Sequence, residues 1–260
     1  MSYETIILER KGGIATLTLN RPEKLNALNT KMGEELESAV DEIVKDREVR
    51  TLIITGAGRG FCSGADVGDM AQAPSPVEIR YLTQTAHKII LALTDLEKPV
   101  IAKVNGVAVG FGCSLALSAD MIIASEKARF GVIFSRIGLI PDGGSLFHLP
   151  RLVGPAKAKE LIFTAKMFDA KEAERIGLIN NAVPADELDD EVNKLAEQLA
   201  KGPTVAYGIA KKIINNGLSM DLNSVLECEA FGQTIAGTTE DAREGVMAFL
   251  EKRKPKFKGR

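Results

Sequence analysis

The 260-residue chain has no tryptophan, two histidines, three cysteines and almost no net charge. Each shortage closes off a kind of chemistry. Cys62, Cys113 and Cys228 are too widely spaced for a CxxC redox or metal pair, and their odd number does not suit a disulfide framework, so buried free thiols are expected. His87 and His148 show no regular ligand spacing, which argues against a metal centre. The formal charge is −2, with both signs spread along the sequence, which argues against a general binder of phosphate backbones and so against a nucleic-acid partner. Only the tail, Lys252–Arg260, is distinctly basic. Lys103 and Asn105 interrupt the best apolar run, so no segment reads as a membrane span. MSYETIILER carries charges where a signal peptide needs an apolar core. A soluble, cytoplasmic protein without a membrane partner is the expectation. GAGRG at Gly56–Gly60 lacks the GxGxxG spacing of a dinucleotide loop, and Ser63 and Ser145 have no evident His–Asp set beside them.

What the chain does have is core. At 45% apolar content, 260 residues can bury a substantial interior in one or two domains without a staple. Thr5–Glu9 and Ile14–Asn20 read as strands joined at Lys11-Gly12-Gly13. A helix is predicted from Thr30, capped by its hydroxyl, with Met32, Leu36, Ala39, Val40, Ile43 and Val44 on one face. Strands at Thr51–Thr55, Val100–Val104 and Met121–Ser125 alternate with helices at Pro76–Asp95, Gly112–Ala119 and from Pro155. In the first of these helices, Leu82, Ala86, Ile89, Ile90 and Leu93 share a face. That alternation is an α/β pattern. After Pro184 the reading turns all-helical, with segments at Asp186–Lys201, Thr204–Asn216, Leu222–Gly237 and Glu240–Lys252. Two parts are therefore expected: an α/β core over residues 1–184 and a helical assembly and lid segment over 185–260.

Three short segments carry chemistry. FCSGADVGDM (Phe61–Met70) and NGVAVGFGCSLALSAD (Asn105–Asp120) each follow a β-branched run and read as glycine-lined turns leading toward a helix. Backbone N–H groups at two such turns can converge on one oxygen as an oxyanion hole. The plainer reading is structural: Gly64 supplies a positive φ, Asp66 caps a helix, and Gly106, Gly110 and Gly112 admit close packing. IPDGGSLFHLPRLVG (Ile140–Gly154) adds a carboxylate, Asp142, in a Pro-Asp-Gly-Gly turn, where aspartate is also a common turn former.

NRPEKLNALN at Asn20–Asn29, FCSGAD, VNGVAVGFGCSLALSAD, RLVGPAKAKEL and the closing EGVMAFLEKRKPKFKG together resemble the enoyl-CoA hydratase/isomerase family, the crotonases. The likeness spans nearly the whole chain. It implies a spiral of ββα units with a C-terminal all-helical segment, packed as homotrimers that commonly pair into hexamers. It also implies an acyl-CoA substrate with no separate cofactor and no metal. Carried onto this chain, the oxyanion donors fall on Ala65 and Phe111, the latter where relatives usually carry a small residue. Gly64 and Gly110 flank them. Leu25, Ala27, Asp66 and Val67 line the nucleotide end, while Phe249 and Lys252 match positions that reach a neighbouring subunit's coenzyme A.

Hydratases of this family use two glutamates, which align with Ser114 and Phe134 here; neither can act as a base. Family isomerases, including those of phenylacetate breakdown, carry a carboxylate at Asp142. The resemblance therefore implies a 3-enoyl-CoA to 2-enoyl-CoA isomerase with Asp142 as the base. Phe134, Ile137 and Leu139 are expected to bury that carboxylate and raise its pKa, with Phe134 and Leu139 also lining the acyl pocket. The alternatives are a hydratase using Asp142 and another group, or an aspartate-nucleophile dehalogenase; the latter also uses an indole, which this chain lacks. An RNA-binding homologue would need a lysine-rich first helix, and GEELES with DE in that helix speaks against it.

Overall fold

A computed structural model describes residues 3–66, 68 and 75–260. Strands β1 (Ile6–Lys11) and β2 (Ile14–Leu19) form the expected antiparallel hairpin, and the alternation of β2 buries Ala15, Leu17 and Leu19. Helix α1 (Thr30–Lys45) starts where the sequence suggests, but its cap is Asn29 rather than Thr30. Asn29 holds the extended backbone just outside the helix, and its side chain accepts the Met32 N–H at 2.9 Å. Of the predicted apolar face, Met32, Leu36, Ala39, Val40 and Ile43 are buried while Val44 is exposed. Glu35 is buried instead, its carboxylate accepting the N–H groups of Glu4 and Thr5 and the Thr5 hydroxyl.

Strand pairs then repeat. β3 (Thr51–Gly56) and β4 (Gly60–Cys62) precede helix α2 (Pro76–Asp95), which buries Ile89, Ile90 and Leu93. Leu82 and Ala86, expected on the same face, are only partly buried. β5 (Val100–Val104) and β6 (Val107–Val109) precede α3 (Phe111–Leu117). β7 (Met121–Ser125) and β8 (Arg129–Gly131) precede a 3-10 turn (Phe134–Ile137) and α4 (Ser145–Thr164). α4 is kinked at Gly154, just before Pro155.

The first strand of each pair joins a six-stranded sheet, β1-β2-β3-β5-β7-β10, with β10 at Asn181–Val183. The second joins a four-stranded sheet, β4-β6-β8-β9, with β9 at Phe168–Asp169, followed by α5 (Ala170–Arg175). This is the spiral of ββα units that the resemblance implied. One face of the large sheet enters the main core. The other, through Ile53, Ile101 and Ile123, is covered by Leu188, Val192 and Ala196 of α6 (Leu188–Ala200). Burial on both faces explains why β3 reads as a continuous apolar run rather than an alternating one.

Helices α7 (Thr204–Gly217), α8 (Leu222–Gly237) and α9 (Glu240–Leu250) complete the chain. α7 is held to the core by Lys211, whose ammonium bonds the Asp120 carboxylate and the Leu93 carbonyl, each at 2.9 Å. The basic tail folds back rather than trailing in solvent: Asp241 accepts the N–H groups of Lys258 and Gly259, and Arg50 bonds the Phe257 carbonyl.

Candidate functional site

β4, β6 and β8 are parallel neighbours, so the segments that follow them leave one edge of the small sheet, the edge where α/β folds place their ligands. Those are the three segments singled out in the sequence. After β4, Ala65 forms a bridge with Leu28, in which the Leu28 N–H bonds the Gly64 carbonyl and the Asp66 N–H bonds the Leu28 carbonyl, both at 2.8 Å. In that pattern the N–H of Ala65 faces away from Leu28, and it has no partner among the described residues.

After β6, the Gly110 N–H bonds the Gly131 carbonyl while Phe111 opens α3, where a first-turn N–H has no carbonyl to reach. The two turns are in contact. Gly64 holds φ +105°, and a Cβ built there would lie 3.7 Å from the Phe111 nitrogen. Two unpaired N–H groups on adjacent turns are a pair of donors suited to one oxygen.

A phenyl ring beside a donor N–H must turn away from the site or narrow it. The ring is buried and packs on the Pro-Asp-Gly-Gly turn: a Cβ at Gly143 would sit 2.9 Å from its Cδ2 and 2.8 Å from the Ser114 Cβ. Gly143 also holds φ +58°, so only glycine fits that approach. Ser114 is wholly buried, and its hydroxyl donates to the Asp142 carbonyl at 2.8 Å and lies 2.7 Å from the Ser145 hydroxyl. It braces the backbone that presents Asp142.

Asp142 is half-buried, and burial pushes its carboxyl above the usual carboxylate range, an effect moderated by nearby His87 and by a bond from its own backbone. Its Oδ1 has no hydrogen-bond partner among the described residues. The expected source of the burial needs correction. Phe134 is buried, but Ile137 is 62% and Leu139 42% exposed, because the 3-10 turn ends at Gly138 and directs the chain outward. The Phe111 ring and α2 stand beside the Asp142 turn instead, with Ile90 Cγ2 3.3 Å from a Cβ placed on Gly144.

The sequence suggested His87 only as a metal ligand, and set it aside; it lies on α2 with its Nε2 buried and without a partner among the described residues, and acts electrostatically on Asp142. The one signal available was its spacing of three from Ile90, which puts both on one helix face.

The NRPEKLNALN segment is built around residues that bind the chain to itself. Asn26, wholly buried, accepts the Arg21 N–H and donates to the carbonyls of Ala57 and Gly60. Arg21 bonds the Ala27 carbonyl at 2.6 Å and the Asp66 carboxylate at 3.0 Å, and that guanidinium holds the Asp66 carboxyl below its ordinary range. Asp66 thus ties this segment to the Ala65 turn. Leu25, with φ +49°, is half-buried beside Gly60, and Ala27 is buried. Val67 lies outside the described residues. Phe249 is 84% exposed on α9 and Lys252 exposed just after it, on a helix that packs against α8. The thiols of Cys62 and Cys113 are buried and pushed up to about 11 and about 12 by that burial, which leaves them unreactive.

Residues 9–260 match the family model described as enoyl-CoA hydratase/isomerase. The chain is 44% identical to a probable enoyl-CoA hydratase of Rhodobacter capsulatus, over 100% of both chains. It is 40% identical to a 1,2-epoxyphenylacetyl-CoA isomerase of Escherichia coli, over 99% of each. Among solved structures, an enoyl-CoA hydratase from Bacillus anthracis superposes with a TM-score of 0.95 at 34% identity, covering 99% of this chain and 100% of that one.

Proposed function

The chain belongs to the enoyl-CoA hydratase/isomerase family, and from that premise we propose that it is an acyl-CoA double-bond isomerase. One observation carries this reading. Asp142 offers a buried carboxylate oxygen without a partner among the described residues, on a turn that packs against Phe111, one of the two N–H donors, while Ser114 and Phe134, where hydratases would carry glutamates, are occupied in bracing and packing. The thioester oxygen of a 3-enoyl-CoA lies between the N–H groups of Ala65 and Phe111. Asp142 takes a proton from C2, and the C2–H electron pair moves toward the carbonyl to give a dienolate held by those donors. The same carboxyl returns the proton at C4, leaving the conjugated 2-enoyl-CoA and a regenerated base.

Gly64, Gly110, Phe134 and Leu139 form the acyl end of this site, and Leu25, Ala27, Asp66 and Val67 its nucleotide end. Coenzyme A enters as part of the substrate, without a further cofactor. The exposed apolar side chains of α8 and α9 support a homotrimer or homohexamer, in which Phe249 and Lys252 reach a neighbour's nucleotide. Among the described residues no helix is long and apolar enough to cross a membrane, in keeping with a cytoplasmic enzyme.

The test offers purified protein 3-enoyl-CoA and follows conjugation by ultraviolet absorbance, with calorimetry on acetoacetyl-CoA as the binding control. Rapid conjugation with saturable binding is the expected result. Binding without conjugation would remove the isomerase assignment, and no binding would remove the thioester site itself.

A further inference from the structure

Buried polar atoms are nearly always paired, because an unpaired one has given up its hydrogen bonds to water without replacing them. Oδ1 of Asp142 and Nε2 of His87 are both buried and both without a partner among the described residues. They are close enough for the charge of one to act on the other, yet they form no hydrogen bond to each other. The geometry of α2 explains the arrangement. His87 lies one turn before Ile90 on the same helix face, and Ile90 touches the Asp142-Gly143-Gly144 turn. His87 therefore overlooks the turn that carries Asp142. The other unpaired buried side-chain atoms among the described residues are single hydroxyls, of Thr51 and Thr94. Among the described residues this is the one place where an unsatisfied acid–base nitrogen and an unsatisfied acid–base oxygen act on each other, an arrangement that a small hydrogen-bonding guest would complete.

We propose that His87 is a second catalytic residue, which holds a water molecule between its Nε2 and Oδ1 of Asp142 and so allows this site to add water across the double bond of a 2-enoyl thioester. The proposal rests on the thioester site described above. Nε2 of His87 accepts a proton from the water as the water oxygen bonds to C3. The C2=C3 electron pair moves toward the thioester carbonyl, giving an enolate held by the N–H groups of Ala65 and Phe111. The protonated Asp142 carboxyl then delivers its proton to C2, and the proton on His87 passes to the Asp142 carboxylate, restoring both groups. One water is consumed and one 3-hydroxyacyl thioester formed. Isomerisation needs Asp142 as its base, whereas hydration needs both groups, and this separates the two reactions experimentally.

The test measures hydration of 2-enoyl-CoA and conjugation of 3-enoyl-CoA on the same preparations of the parent, His87→Gln and His87→Phe, resolving 3-hydroxyacyl-CoA by chromatography. The parent should form 3-hydroxyacyl-CoA, and both variants should lower the ratio of hydration to conjugation by about a hundredfold, the lower end of what a positioned general base contributes. Partial unfolding lowers both reactions alike, so the ratio reports on chemistry. An unchanged ratio in both variants overturns the role of His87. A parent that conjugates 3-enoyl-CoA without forming any 3-hydroxyacyl-CoA also overturns it, while the isomerase assignment stands. A parent that catalyses neither reaction overturns both.

Discussion

Strand β3 and helix α8 are both rich in apolar side chains, and their fates differ. Every residue of β3 is buried, covered on one face by the main core and on the other by α6. In α8 only Gly232 is buried, while Leu222 is 73% and Phe231 69% exposed. The same transfer free energy acts on both, at roughly 25 cal/mol per Å² of apolar surface. The difference is that the α/β core closes on itself, whereas the last helices leave Leu222, Leu226, Phe231 and Ile235 exposed on a single chain. A surface of that kind marks an interface. The core therefore carries the fold and the candidate chemistry, while α8 and α9 leave much of their apolar surface exposed on a single chain.

The sharpest way to test that division is Asp142→Asn, which removes the base and keeps the turn. Turnover should fall by roughly two to four orders of magnitude, with oligomeric state unchanged by light scattering. The sign of the stability effect follows from the raised pKa. Burial favours the protonated carboxyl, so its contribution to folding is fully present below the unfolded pKa and is lost as pH rises through the folded one. The asparagine variant should thus melt no lower than the parent at neutral pH. Parent turnover should be lost on acidification at a pH above the roughly 4 of a free carboxylate. A steep melting loss in the variant would mean that the carboxylate is structural.

Phe61→Ala probes the other half of the division. Phe61 is completely buried in β4, so its loss should cost about 3–5 kcal/mol in thermal or denaturant unfolding. Phe231→Asp on α8 should leave the fold of one chain within about 0.5 kcal/mol, yet weaken assembly at least about tenfold by light scattering or sedimentation. Equal unfolding penalties in these two variants would break the comparison. The smallest effect is expected for Ser114→Ala, which loses the bond to the Asp142 carbonyl. Stability should drop by about 1 kcal/mol, and turnover should fall far less than in Asp142→Asn.

Much of this was legible in the linear chain because it is locally written. A strand's alternation in β2, the helix start near Thr30 and the glycine-lined turns after β4 and β6 depend on residues within a few positions of one another. Those short-range rules also put Asp142 in a turn, whereas the donor positions Ala65 and Phe111 came from the resemblance, and Phe111 opens α3 rather than preceding it. Their limits show at Asn29, where the cap moved one residue, and at Ile137 and Leu139, whose apolar character suggested burial that the outward course of the chain denies.

The sequence by itself determined which groups exist to do chemistry: one carboxylate at Asp142, serine and phenylalanine at positions 114 and 134, and no tryptophan. Only the tertiary structure decided which of them meet. The Ala65 and Phe111 turns touch because β4 pairs with β6, and His87 overlooks Asp142 because α2 packs across the turn before α4. Strand order and helix docking are fixed by burial summed over contacts far apart in the chain, and no local pattern records that sum.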